Sequence, residues 1–135
     1  MSTSHIAYAI VLYIIASGLT DWFFFGILFH KNYSAYPEVW WRTQGGAGEG
    51  KAIAWSSFFS LFTIAGFICA CSLFSIHGYK SAFELALLIW LAGPLPLTIT
   101  NSLFIKMHRL IVVSHSLGWL VRVLIAAAAV GWLLS

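Results

Sequence analysis

Four apolar runs, each long enough to cross a bilayer, limit what this chain can fold into. They lie at roughly 6–29, 52–76, 82–105 and 110–134. A hydrocarbon core about 30 Å thick takes about 20 helical residues to cross. The runs do not alternate polar with apolar residues, as the strands of a transmembrane barrel would. Backbone amides in lipid have to be satisfied within their own segment, so each run is expected to be a helix. Little but short connections remains between them. The expected fold is all-α, a bundle of four transmembrane helices forming one domain over residues 1–135.

Composition points the same way. The chain is 61% hydrophobic and only 8% charged, where a soluble domain carries about 25% charged residues to face water. Lipid is therefore the main partner of its surface. Seven Lys and Arg residues do not make a nucleic-acid face, and no nucleic-acid partner is expected. Where those residues lie matters more than their number. Lys31, Arg42 and Lys51 fall in the connection 30–51, and Lys106 and Arg109 in the connection 106–109; only Lys80 falls between the second and third runs. That asymmetry places the first and third connections in the cytoplasm and both termini outside, in a multi-pass protein of the cell membrane. The opening "MSTSH" has no basic leader and the first run is too long for a signal core, so that run is expected to stay as a span.

The first connection contains two readable pieces. Residues 34–44 suggest a short interfacial helix, with Pro37 at its start, Glu38 in its first turn, and Trp40 and Trp41 at headgroup level. "GGAGEGKA", Gly45–Ala52, matches the opening of a phosphate-binding loop. Ala52 stands where that loop needs a hydroxyl for magnesium, and no strand precedes it. It reads as a flexible linker, and no nucleotide is expected.

Polar residues inside the runs are the candidate functional groups. Pro94 and Pro96 lack amide hydrogens, which leaves the carbonyls of Trp90 and Ala92 without helical donors and predicts a kink in the third helix. Thr98, Thr100 and Asn101 follow the kink. They either bond back to their own helix or line a polar cavity beside a broken one. Arg122 lies about twelve residues inside the fourth run, or roughly 18 Å deep. A central arginine costs about 2.5–3.5 kcal/mol to insert and should face the bundle with a partner. His115, Trp119 and Arg122 share one helical face, as do Tyr13, Ser17 and Asp21 on the first run. Asp21 is about 14 Å deep, within a turn of Arg122, so the two are expected to form a salt bridge. Ser56, Ser60 and Thr63 give the second helix a small-residue contact face. Glu84 is close enough to the outer headgroups to reach them. Cys69 and Cys71 are two apart, which suits neither a redox nor a zinc motif, and read as small apolar residues. No second ligand accompanies His115 at metal spacing, so neither a metal nor a cofactor is expected.

The stretch "FFFGILFHK", Phe23–Lys31, followed by Trp40 and Trp41, resembles the first-helix signature of a family of small bacterial membrane proteins, the domain of unknown function 1761. "LLIWLAGPLPLTITNSLF", chiefly Trp90, Leu91, Asn101, Leu103 and Phe104, is similar to a later part of that pattern, as is "GWLV", Gly118–Val121. The resemblance implies a four-helix integral membrane protein and brings no activity. Asp21, Arg122 and the proline pair lie outside the pattern, so their roles rest on physical argument.

The leading functional expectation is a polar intramembrane cluster that binds or conducts a small solute. Its residues are Asp21, Arg122, His115, Asn101, Thr98, Ser17, Tyr13 and Trp119. Four short helices enclose little volume, so transport would call for a homo-oligomer. The alternative is a structural or accessory membrane subunit in which Asp21–Arg122 fixes helix packing. A lipid-modifying enzyme using Asp21 and His115 as acid and base ranks below both, because no nucleophile or metal set accompanies them.

Overall fold

The computed structural model describes residues 3–31, 49–105 and 107–133. The interfacial segment 34–44, with Trp40, Trp41 and Arg42, lies outside the described residues, as do Gly45–Gly48 and Lys106. Helix α1 (Thr3–Asp21) runs directly into a π-helical segment (Trp22–Leu28). Helices α2 (Glu49–Leu73), α3 (Gly78–Ala92), α4 (Pro94–Phe104) and α5 (Arg109–Leu133) follow. They make four segments long and apolar enough to cross a membrane: Ser4–Leu28, Gly50–Leu73, Gly78–Phe104 and Arg109–Leu133. The chain is an all-α bundle of four membrane-spanning helices.

Helix α5 is the spine and touches every other helix. Its buried face is mostly small: Ser114, Ser116, Gly118, Ala126, Ala127, Ala129 and Gly131. In lipid no hydrophobic force drives helices together, and small side chains let backbones approach closely enough for dispersion to hold them. Tyr13, Ile64, Phe67, Cys71, Ala82, Ala86, Val123 and Val130 fill the space around this face. The outward side chains are large and apolar. On α2, Trp55, Phe58, Phe59 and Phe62 form an exposed ladder with neighbouring ring centroids 5.6–6.0 Å apart, a surface suited to lipid.

The side-chain pairings set an antiparallel register against α5. His5 meets Trp132, Asp21 meets Arg122 and Phe25 meets His115 along the first span. Along the third, Tyr79 meets Gly131 and Trp90 meets Ser116. One end of the bundle therefore carries Lys31, Lys51 and Arg109, and the other carries Lys80.

The second span differs in its limits from the expected 52–76. Its helix starts at Glu49, so the last residues of the glycine-rich stretch are helical, and it stops at Leu73. The stop is a Schellman motif. Ile76 N–H donates to Cys71 O at 2.8 Å and Ser75 N–H to Ser72 O at 3.3 Å, with Ser75 in the left-handed region at φ 51°. That conformation costs a residue with a Cβ about 1–2 kcal/mol. Ser75→Gly should accordingly stabilise the bundle by about 1 kcal/mol, read as a higher midpoint of denaturation in micelles. The third span starts four residues earlier than expected, at Gly78.

The kink in the third span falls on Gly93, at φ −123° and ψ −84°. Proline disfavours the helical region for the residue before it, so the break sits one residue ahead of Pro94. Gly93 N–H closes α3 by donating to Ile89 O, and Leu97 N–H opens α4 by donating to Gly93 O, both at 3.0 Å. Just before the break, Trp90 Nε1 donates to Ser116 O at 2.9 Å and fastens α3 to the spine. Trp90→Phe removes that bond at a cost of about 1 kcal/mol, measurable as a lower denaturation midpoint.

Candidate functional site

Asp21 and Arg122 bring α1 and α5 together inside the membrane-spanning region. Arg122 Nε donates to Asp21 Oδ1 at 3.0 Å and Nη2 donates to Oδ2, a two-point fork. The arginine side chain is 13% exposed and the aspartate 29%, so the carboxylate is the more open half of the pair. The Arg122 guanidinium carbon also lies 5.4 Å from the centre of the Trp119 ring, adding a cation–π interaction one turn back along α5.

The π-helical segment shapes the next layer. Phe29 N–H donates to Phe24 O at 3.0 Å, five residues back rather than four, and the wider turn changes the direction of the side chains after Asp21. Phe25 then packs on His115 with ring centroids 5.1 Å apart, and its Cζ lies 3.6 Å from where a Cβ on Gly118 would be. Gly26 leaves room for the Trp22 ring, 3.4 Å from the same hypothetical position. The aromatic run Trp22–Phe25 before a glycine was the available sequence signal, and it carries no periodicity that separates π from α.

A polar seam runs between α1 and α2. The Tyr13 side chain is fully buried, with Thr63 beside its hydroxyl. Ser17 and Ser60 are buried and donate to their own helices, at Ile14 O (3.2 Å) and Ser57 O (3.0 Å). With Tyr13 opposite Thr63, antiparallel register sets Ser17 against Ser60 and Asp21 level with Ser56. Gly50–Phe59 of α2 are all exposed, Ser56 and Ile53 included, whereas Ser60 is buried.

Two expected members of the cluster lie elsewhere. The Thr98 hydroxyl donates to Pro94 O at 2.8 Å and Leu95 O at 2.9 Å, within its own helix, and Asn101 is exposed. The Trp90–Ser116 register puts Thr98 level with about residue 108, just ahead of α5 and roughly 20 Å along the axis from Arg122. Lys80 and Glu84 form an exposed pair at 3.9 Å at the far end of the bundle, a pairing of little energetic weight. Also at that end, Cys71, Ser75, His77 and Val130 are among the walls of a cavity of about 240 Å³.

Comparisons with family models, curated proteins and solved structures give no match. The chemistry of the site therefore stands on its geometry: a neutralised charge pair, part-exposed on its acidic side.

Proposed function

We propose that this membrane protein binds a small neutral solute in a cleft between α2 and the Asp21–Arg122 pair. The exposure of α2 at Ser56 carries this reading. The residue that register sets against Asp21 is exposed, while Ser60, one turn along, is buried. Binding is the part of the solute reading that this arrangement favours. The outer cavity lies beside Val130, about 12 Å along α5 from Arg122. Conduction would rest on assembly with further copies. The structural reading keeps its own support in the two-point fork, which ties α1 to α5 whether or not anything binds.

Lys31, Lys51 and Arg109 at one end of the bundle favour placing that end in the cytoplasm and both termini outside. Membership of the domain of unknown function 1761 is likewise proposed, on the resemblance of Phe23–Lys31 and its companions.

Maleimide alkylation tests the cleft, because it needs a thiolate and therefore water near the sulfur. In a Cys69→Ala background, Ser56→Cys should react with N-ethylmaleimide much faster than Ser60→Cys in the closed seam or Phe62→Cys on the lipid side. Equal, slow labelling at all three positions would refute an open polar cleft and leave the structural reading.

A further inference from the structure

We propose that the cavity at the Lys80 end of the bundle is a binding site for a compact neutral amphiphile, a small apolar ring system carrying one hydrogen-bonding group, of the size of indole. The site stands apart from the Asp21–Arg122 pair and does not rest on the solute reading above.

Three elements wall the cavity: the end of α2, the connection into α3, and α5. Its apolar depth comes from Cys71 and Val130, both buried, with the half-buried Ile76 at the side. Ser72, Ser75 and His77 are exposed and make a polar rim. An apolar interior with a few convergent polar groups suits a small molecule. Among the described residues, no Asp, Glu, Lys or Arg lines the cavity, and Lys80 and Glu84 pair with each other. An ion entering it would lose water with no opposite charge in return. The site therefore selects a neutral ligand.

Volume and depth set its size and shape. The cavity holds about 240 Å³, whereas an apolar cavity of about 150 Å³ takes benzene, so a fused pair of rings fits. A rigid ring system also loses less freedom on entry than a flexible chain of equal volume. Helix α2 ends at Leu73 and α3 begins at Gly78, which puts the cavity where the spans end. Amphipathic rings concentrate at that level of a bilayer, as Trp and Tyr side chains do.

The walls are fixed before a ligand arrives. Ile76 N–H donates to Cys71 O at 2.8 Å and ties the connection to α2. Ser75 and Gly78 hold positive φ angles of 51° and 75° and turn the chain into α3. Tyr79 then sits against Gly131, the residue after Val130 on α5. A preformed site spares binding the cost of ordering it.

Alkylation of Ser72→Cys by N-ethylmaleimide in nanodiscs tests the site at its rim, measured against a Cys69→Ala parent that keeps the buried Cys71. The rim thiol should react readily, and indole should slow it several-fold and saturably. Indene, which has the same shape without the N–H, should protect more weakly. Leu73→Cys, exposed but outside the cavity, should label at one rate with or without indole. Ile76→Trp and Ile68→Phe fill the cavity from different walls, and each should abolish the protection, so the result does not hang on the folding of one variant. An unreactive Ser72→Cys, no slowing by indole, equal slowing at Leu73→Cys, or protection that survives both fillings would overturn the site. Equal protection by indene would overturn the hydrogen-bonding requirement.

Discussion

Asp21→Ala should destabilise the bundle by about 3 kcal/mol, the lower end of the range for breaking a buried ion pair, because the carboxylate keeps 29% exposure. The loss comes mainly from the partner left behind. Arg122 retains its charge at a depth where insertion alone costs about 2.5–3.5 kcal/mol, and the Trp119 ring compensates only part of that. Arg122→Leu in the wild type should be similarly damaging, since it strands a carboxylate. Asp21→Ala/Arg122→Leu should recover much of the stability, because neither charge then remains in lipid. Reversible denaturation in mixed micelles gives all four corners of the cycle. Additive losses, with no recovery in the double variant, would mean that the fork does not couple α1 to α5.

The cycle also bears on function. If the pair only sets helix register, a double variant with recovered stability should behave as wild type in every solute-binding measurement. If a small neutral solute binds through the pair, the same variant should be folded and unresponsive in solute binding. Stability and binding therefore separate in one protein.

Much of this arrangement is legible in the sequence because it depends on position along the helix axis. Helix rise puts Asp21 and Arg122 within a turn of each other before any packing is known, and pre-proline sterics put the break beside Pro94. What depends on lateral packing is not legible. Ser56, Ser60 and Thr63 form one continuous face by periodicity, yet only its second half is covered. In lipid, an apolar helix loses little by standing away from its neighbours, so no hydrophobic pattern records where it does so. Thr98 and Asn101 mislead for a related reason. They share a run with the kink, but their level against α5 is set by the Trp90–Ser116 register, which one sequence does not reveal. The π-helical turn after Asp21 satisfies its backbone as fully as an α-turn would, and only the packing of Phe25 on His115 and Gly118 distinguishes it.

Gly131→Ala should cost about 2 kcal/mol, and the sign comes from weighing two opposed effects. Alanine gains about 1 kcal/mol over glycine in a helix interior. At Gly131 the new Cβ would lie 2.8 Å from Tyr79 Cδ1, 3.2 Å from its Cγ and 3.1 Å from its Cα. Overpacking of this kind costs about 1–3 kcal/mol. The upper end applies because one of the crowded atoms is backbone and cannot rotate away. The clash therefore outweighs the propensity gain and pushes the start of α3 off the spine. Tyr79→Ala in the same chain should restore only part of the loss, since the ring is removed while the crowding against the residue 79 backbone stays. Gly66 supplies the control: a Cβ there meets nothing within 4 Å, so Gly66→Ala should be stabilising by up to about 1 kcal/mol. Opposite signs at the two glycines, measured in the same micelles, would show that close approach at Tyr79, and not glycine flexibility, fixes the crossing of α3 over α5. A stabilising Gly131→Ala would place that crossing further from α5 than an approach of about 3 Å allows.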